Sequence, residues 1–324
     1  MGDCISMNDM IGAASGSKNN MLGKLLYFSL SNVLIDKEDL SDLCASLGIY
    51  YGGSRRVSVA DAFKSATGDV RDRIVKKYGG QQQIYQVYCR DNRHGPRVLS
   101  RELVKETLNR ETNQYEKLAN ISFDKESGFF SYDNLSYDSD VDAAAYCRKA
   151  EQLFELYQCC ANRKQIETIC LNYLRSLEAT KMSVNGHLYF VPRHSMEKVD
   201  IFEDFIDALS KLNRTDTPLM ANSIYIIDDA KQRDKMTEEF YAAVKKEIAE
   251  YQERADYLIK SGSQSPAIME RWVMKINALE GKKRHYENVL RRELNGLDEE
   301  FETLKFLSQE LAIRASGIRF QKAA

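Results

Sequence analysis

The stretch that decides the fold is SPAIMERWVMKINALEGKKRHYENVLRREL, residues 265–294. Met269, Trp272, Ile276, Leu279, Tyr286 and Leu290 recur at alternating steps of three and four, the spacing of one face of an α-helix. Ser265 stands where a helix cap belongs, and Pro266 occupies the first helical position, where its missing N–H costs nothing. The pattern continues through Leu294, Leu297, Phe301, Leu304 and Leu311 with no proline. Upstream, Met236, Phe240, Val244, Ile248, Tyr251, Ala255 and Leu258 mark a second helix over 231–260, and Gly262 punctuates the join. Together they predict an antiparallel helical hairpin with a coiled-coil-like seam. At 1.5 Å per residue its arms measure roughly 45 and 75 Å. The longer arm must therefore overhang, bend or fold back, with Gly281 and Asn295-Gly296 as the expected places. Lys283 interrupts the apolar seam.

Residues 21–229 read as a mixed region. Lys24–Ser31 is apolar and aromatic, a strand. Asp36 caps a helix that closes at Gly48, and Ser58 with Asp61 forms a capping-box-like start for a helix carrying Ala62, Phe63 and Ala66. That helix is expected to break at Gly68 and resume from Ile74 to Tyr78. Four strands follow as a meander: Gln81–Arg90, Val98–Leu108, Tyr115–Asp124 and Phe129–Tyr132, with turns at 109–113 and 125–128. Asp140–Ala179 is helical with a break near Ala161–Lys164. Met182–Pro192 is a hairpin turning at Asn185-Gly186, followed by a helix over Asp200–Leu212 and a strand over Leu219–Ile227. The fold class is α+β: a small, mostly antiparallel sheet with packing helices, then the C-terminal helical hairpin. The expected organisation is a disordered leader at 1–20, an α+β domain at 21–229 and a helical region at 230–324.

Composition narrows the function classes. The 324 residues carry 46 Lys and Arg against 48 Asp and Glu, a formal charge of -2. The region from Lys231 onward has 18 basic and 16 acidic residues, and the first 230 have 28 and 32, so neither part offers a broad cationic footprint for nucleic acid. Seven cysteines without regular spacing and four scattered histidines favour reduced, buried thiols over a disulfide framework or a zinc site. No cofactor or metal is expected. No apolar run reaches the roughly 20 residues of a membrane helix, and residues 1–20 lack a signal-peptide pattern, so a cytoplasmic protein without membrane partners is expected.

Several blocks carry a resemblance: LLYFSLSNVLIDKEDLSDLC (25–44), SVADAFKSATGD (58–69), KLANISFDKESGFFSYDNL (117–135) and QSPAIMERWVMKINALEGKKRHYENVLRREL (264–294). They resemble an uncharacterised protein family carried by Firmicutes phages and conjugative mobile elements. The resemblance implies a mobile-element setting, with replication, transfer or evasion of host defence as the tasks such proteins serve. It transfers no catalytic residue.

The candidate sites are local. GAASGSK (12–18) is one residue short of a phosphate loop. Asp138, Asp140 and Asp142 open like a calcium loop, but Ala143 and Lys149 stand where Gly and Glu are required; helix-start acids are the better reading. Arg90, Arg93, His94, Arg97 and Arg101 crowd one hairpin tip and suit phosphate contacts. Lys282, Lys283, Arg284, His285, Arg291 and Arg292 form a second basic stretch, with Glu280→Arg284 and Glu287→Arg291 as helix pairs, and His187 and His194 flank the Met182–Pro192 hairpin. Asp228-Asp229 at a strand end is catalytic or capping material. No GxSxG, HExxH, kinase or dinucleotide fingerprint is present. The leading expectation is a non-catalytic interaction protein. Its hairpin seam (Met269, Trp272, Ile276, Leu279, Tyr286, Leu290) would meet another copy or a protein partner, such as a host defence or element nucleoprotein complex. A nucleic-acid-binding accessory protein is the alternative, and an enzyme of unrecognised class the third.

Overall fold

The computed structural model describes residues 20–53, 57–78, 81–92, 95–108, 114–184, 186–215, 217–262 and 265–323. The expected leader, the GAASGSK segment, Arg93, His94, the turn at 109–113 and Asn185 lie outside them. The described chain is α+β with antiparallel sheets, and it divides into two compact units. One unit comprises Met1–Leu30, Thr168–Ser210 and Pro218–Ala324; the other comprises Ser31–Glu167 and Lys211–Thr217. The division does not fall at residue 230: the first strand and the C-terminal helices belong to the same unit.

That unit holds a four-stranded sheet in the order β11-β1-β10-β9, built from β1 (Met21–Ser29), β9 (Thr180–Lys181), β10 (His187–Pro192) and β11 (Met220–Ile227). β9 and β10 form the expected hairpin, with Gly186 in the left-handed region at φ +97°. The register of β1 against β11 shifts between Met21 and Gly23. This bulge places Leu22 on the same face as Leu25, and both join Leu188 and Phe190 in one apolar cluster. The other face presents Lys24 and Phe28. Lys24 pairs with Asp200 at 2.6 Å, and Phe28 packs edge-on against Phe202. Both partners lie on the helix Lys198–Leu212 (α5). Gly23 is required where it stands, because an added Cβ would lie 2.1 Å from the Val191 carbonyl oxygen.

The C-terminal region contains three helices, not a two-armed hairpin. They are α6 (Ala230–Lys260), α7 (Pro266–Leu290) and α8 (Asp298–Ala323). Asp229 caps α6 by accepting the Gln232 N–H, so of the Asp228-Asp229 pair this residue is capping material. Gly281 does not interrupt α7. The long arm breaks at Arg291, which takes a left-handed φ of +51° and is tied to Asp228 at 3.1 Å. The chain then reverses through a 3-10 turn at Asn295–Leu297, where the Gly296 N–H donates to the Tyr241 hydroxyl. α8 folds back onto both α6 and α7. The apolar pattern explains why: Leu294, Leu297, Leu304 and Leu311 are fully buried, where a straight arm leaves them in water. Lys283, the odd residue in the seam, bonds Asp298 at the start of α8 and fastens the reversal.

The apolar cluster between these helices and the sheet is centred on Tyr286. Its ring is fully buried, stacks on Phe240 at 4.3 Å and meets Phe190 edge-on at 6.0 Å. Its hydroxyl accepts from Thr180 Oγ1 at 2.8 Å and donates to the Glu178 carbonyl at 3.0 Å.

The second unit holds the meander, and it has five strands: β3 (Arg71–Tyr78), β4 (Gln81–Asp91), β5 (Val98–Thr107), β6 (Gln114–Asp124) and β7 (Phe130–Asp133). The segment 74–78, expected to resume a helix, is instead part of β3. It pairs with β4 along its length, from Arg71 opposite Tyr88 to Tyr78 opposite Gln81. Cross-strand pairing outweighs a helical pattern this short. Helices α2 (Val59–Gly68) and α3 (Ala143–Cys159) cover the sheet, burying Phe63, Val87, Leu103, Ile121, Phe130 and Phe154 together. Ser58 caps α2 as expected, accepting the Asp61 N–H. Helix α1 (Lys37–Ser46) starts at Asp36 and is followed by Gly48 at φ +66°. A short pair not apparent in the sequence, β2 (Leu34–Asp36) with β8 (Cys160–Asn162), occupies the expected helix break between α3 and α4 (Arg163–Ser176).

Replacing Tyr286 with Phe keeps the ring but strands the Thr180 hydroxyl and the Glu178 carbonyl. It is expected to destabilise the protein by about 1–3 kcal/mol, read as a lower denaturant midpoint at unchanged slope.

Candidate functional site

Helix α4 ends without a glycine. Leu177 donates to Tyr173, Glu178 to Arg175 and Ala179 to Leu174, the hydrogen-bond pattern of a left-handed helix terminus. The left-handed residue is Glu178, at φ +57°. An L side chain there costs roughly 1–2 kcal/mol relative to the right-handed region. The Tyr286 hydroxyl holds its carbonyl from below, and the buried end of Lys282 donates to the next carbonyl, Ala179, at 3.0 Å. Burial depresses the Lys282 ammonium below its ordinary pKa, with Glu247 and Glu178 opposing.

This backbone projects the Glu178 carboxylate between two imidazoles. His285 Nδ1 lies 2.7 and 2.8 Å from its two oxygens, and His194 Nε2 lies 3.1 Å from Oε2. The rings stand edge to face, 5.4 Å apart. One ligand atom from each of the three residues falls within 4.8 Å of the others. His194 comes from the 3-10 turn after β10, and His285 from α7, 107 residues beyond Glu178. Two of the four scattered histidines that argued against a metal site, His194 and His285, are brought together by the tertiary fold. From this neighbourhood the sequence marks Tyr286 as a seam residue, Lys282 and His285 as members of a basic stretch, and His194 as a histidine beside the hairpin, but it does not mark Glu178 or join the two histidines. For Glu178 the available signal was a helix end with no glycine.

A second grouping is Asp36, Cys159 and Cys160, with the sulfurs 3.7 Å apart. It is poorly suited to a metal, because Asp36 already caps α1 and burial pushes the Cys160 thiol up to about 12. The described cysteines are thiols, and all but Cys159 are buried.

The described members of the predicted basic groups are engaged in contacts within the fold. Arg90 makes two bonds to Glu102 Oε2, at 2.9 and 2.8 Å, and its guanidinium lies over Tyr115. Arg101 is one-tenth exposed, bonded to Asp91 and Thr67, so it is a core-edge residue and not a surface contact. Arg97 pairs with Glu126. Lys283 bridges Asp298 and Glu287, Arg284 pairs with Glu280, Arg291 with Asp228 and Arg292 with Asp234. The seam is likewise internal: Met269, Ile276, Leu279, Tyr286 and Leu290 are buried within their own unit, and Trp272 packs on Tyr251.

The acids at 138–142 are structural. Asp142 caps α3, and Asp138 accepts the N–H groups of Asp140 and Val141. Lys105, 8% exposed, bonds Asp138 at 2.6 Å beside Asp140 at 3.7 Å. Burial disfavours ionisation of Asp138, but the Lys105 ammonium and the two N–H groups outweigh it and hold the carboxyl below its usual range. Burial likewise works against the Lys105 charge, yet Asp138 raises its pKa.

The protein is thus an α+β chain that, among the described residues, gathers a His–Glu–His arrangement in the unit that contains the C-terminal helices. It belongs to DUF6744, a family of unknown function whose profile matches residues 21–317. No curated protein and no solved structure matches it.

The Lys105–Asp138 pair makes a pH prediction. With its folded pKa depressed, Asp138 contributes stability present above the unfolded value of 3.8 and lost as pH falls through the folded value. Lys105, with a raised pKa, contributes stability present below 10.5 and lost as pH rises through its folded value. Asp138→Asn is expected to cost at most about 3 kcal/mol near neutrality, since Asp140 remains beside Lys105. Urea midpoints should show that deficit at about pH 7 and its shrinkage by about pH 3.

Proposed function

We propose that this chain is a non-catalytic interaction protein, of the mobile-element kind implied by the resemblance in its sequence, and that it pairs with a second copy through α8. The observation that carries the reading is an outward stripe on that helix. Phe306, Ile313 and Phe320 stand at steps of seven and are 67%, 72% and 77% exposed. Steps of seven keep a seam facing one partner helix along its length. Charge favours a second copy in antiparallel register. The first turns of α8 carry Asp298, Glu299, Glu300 and Glu302, whereas residues 311–323 carry Arg314, Arg319 and Lys322 and no acid. A two-fold axis at Ile313 sets Phe306 against Phe320 of the other copy and the acidic end against the basic one. The coiled-coil seam expected of the hairpin thus passes, in this reading, to the outer face of the third helix.

The full chain is expected to show by light scattering a mass of about twice 37.2 kDa. Ile313→Glu should shift it to the monomer with the far-ultraviolet circular dichroism unchanged. A wild-type chain that stays monomeric at the highest soluble concentration defeats the reading.

A further inference from the structure

We propose that Glu178, His194 and His285 bind a divalent transition metal ion of the zinc class, through one carboxylate oxygen, His194 Nε2 and His285 Nδ1. The inference is independent of pairing through α8. Two observations carry it.

The first is geometry. Tetrahedral zinc with ligands at about 2.0–2.1 Å sets its ligand atoms about 3.3 Å apart. The carboxylate-to-imidazole separations here are 2.7 and 3.1 Å, and all three ligand atoms lie within 4.8 Å. An ion therefore enters by exchanging direct hydrogen bonds for coordination bonds, with sub-ångström widening on the carboxylate sides, while the proton on each ligating nitrogen moves to the other ring nitrogen or is released to solvent. Two imidazoles and a carboxylate are ligand types that suit zinc, and three protein ligands leave a fourth position open. The side chains of His194 and His285 are 41% and 54% exposed, so that position faces solvent.

The second is the backbone. A helix end of this kind favours Gly, or Asn, at the left-handed position. Glu178 occupies it against a steric cost, and hydrogen bonds from Tyr286 and Lys282 hold its own and the following carbonyl. Pairing with two exposed imidazoles contributes little in return, since solvent-exposed ion pairs are worth about 0–1 kcal/mol. A metal ligand accounts for an acid at a strained position, aimed at two imidazoles from distant segments.

The ion would link three elements: the end of α4, the turn after β10, and α7. Binding to the folded chain alone raises stability in proportion to the logarithm of metal concentration over Kd.

The test uses the untagged full-length chain, stripped with chelator and titrated with Zn²⁺ by calorimetry and with Co²⁺ by visible absorption. The expected result is one equivalent bound, nitrogen–oxygen coordination without a thiolate charge-transfer band, and a melting temperature that rises with zinc. His194→Ala and His285→Ala should each weaken binding at least tenfold, the least that loss of even an outer partner of a metal ligand costs. Glu178→Gln, which keeps the side chain's length, should weaken it as well. These side chains are at least partly exposed, so unchanged circular dichroism separates loss of a ligand from loss of fold. Should one variant misfold, the other two decide. Cys159→Ser should leave binding unchanged. No binding at micromolar zinc, binding that survives both histidine substitutions, or binding that disappears with Cys159→Ser overturns the proposal.

Discussion

The buried hydroxyl of Tyr286 is the constraint on which its unit depends. A phenol can be fully buried only if its hydroxyl is bonded, and here the partners are Thr180 on β9 and the carbonyl of Glu178 at the end of α4. Those bonds fix the rotation of α7. With α7 so set, the Tyr286 ring stacks on Phe240 of α6 and meets Phe190 of β10, joining helices and sheet in one apolar cluster. The same rotation puts the preceding residue, His285, on the outer side of α7 against the Glu178 carboxylate. Core packing and the polar cluster are therefore two sides of one helix turn.

Electrostatics shape the surface by short-range pairing. With 46 basic and 48 acidic residues, partners of opposite sign are available throughout. The described members of the two predicted basic groups either pair with an acid or, for Lys282, bond a carbonyl as the charge is desolvated. An Arg run in sequence reads as a cationic patch only if the opposite strand leaves it unpaired. Glu102, directly across from Arg90 in the β4–β5 register, removes that condition.

Elements whose signals are local were legible. The caps at Asp36, Ser58 and Asp229, the Pro266 helix start, four of the meander strands and the hairpin before β10 depend on neighbouring residues and on period-two or period-3.6 patterns. The misreadings share another cause. Residues 74–78 form a strand because β4 lies beside them, and β2 and β8 are too short to show a period without each other. The long C-terminal arm has one continuous apolar pattern, and a helix pattern does not say whether its partner is another molecule or the same chain folded back. The outward stripe Phe306–Ile313–Phe320 emerged only once the inward positions of α8 were assigned. The His–Glu–His cluster had no sequence signature, because its members come from three separate elements and Glu178 looks like an ordinary helix residue.

By itself the sequence determined which segments are helices and strands, where most of them start and stop, and that their apolar faces need burial, because those properties rest on propensity, capping and periodicity within a few residues. Only the tertiary structure decided which faces meet. It turned the C-terminal arm back at Arg291, committed the predicted seam to the interior, paired Arg90, Arg97 and Arg101 of the predicted basic tip with acids, and set Glu178 between His194 and His285. Each of these outcomes depends on contacts between residues far apart in the chain, where burial and Coulomb attraction act through distance in space and leave no local pattern to read.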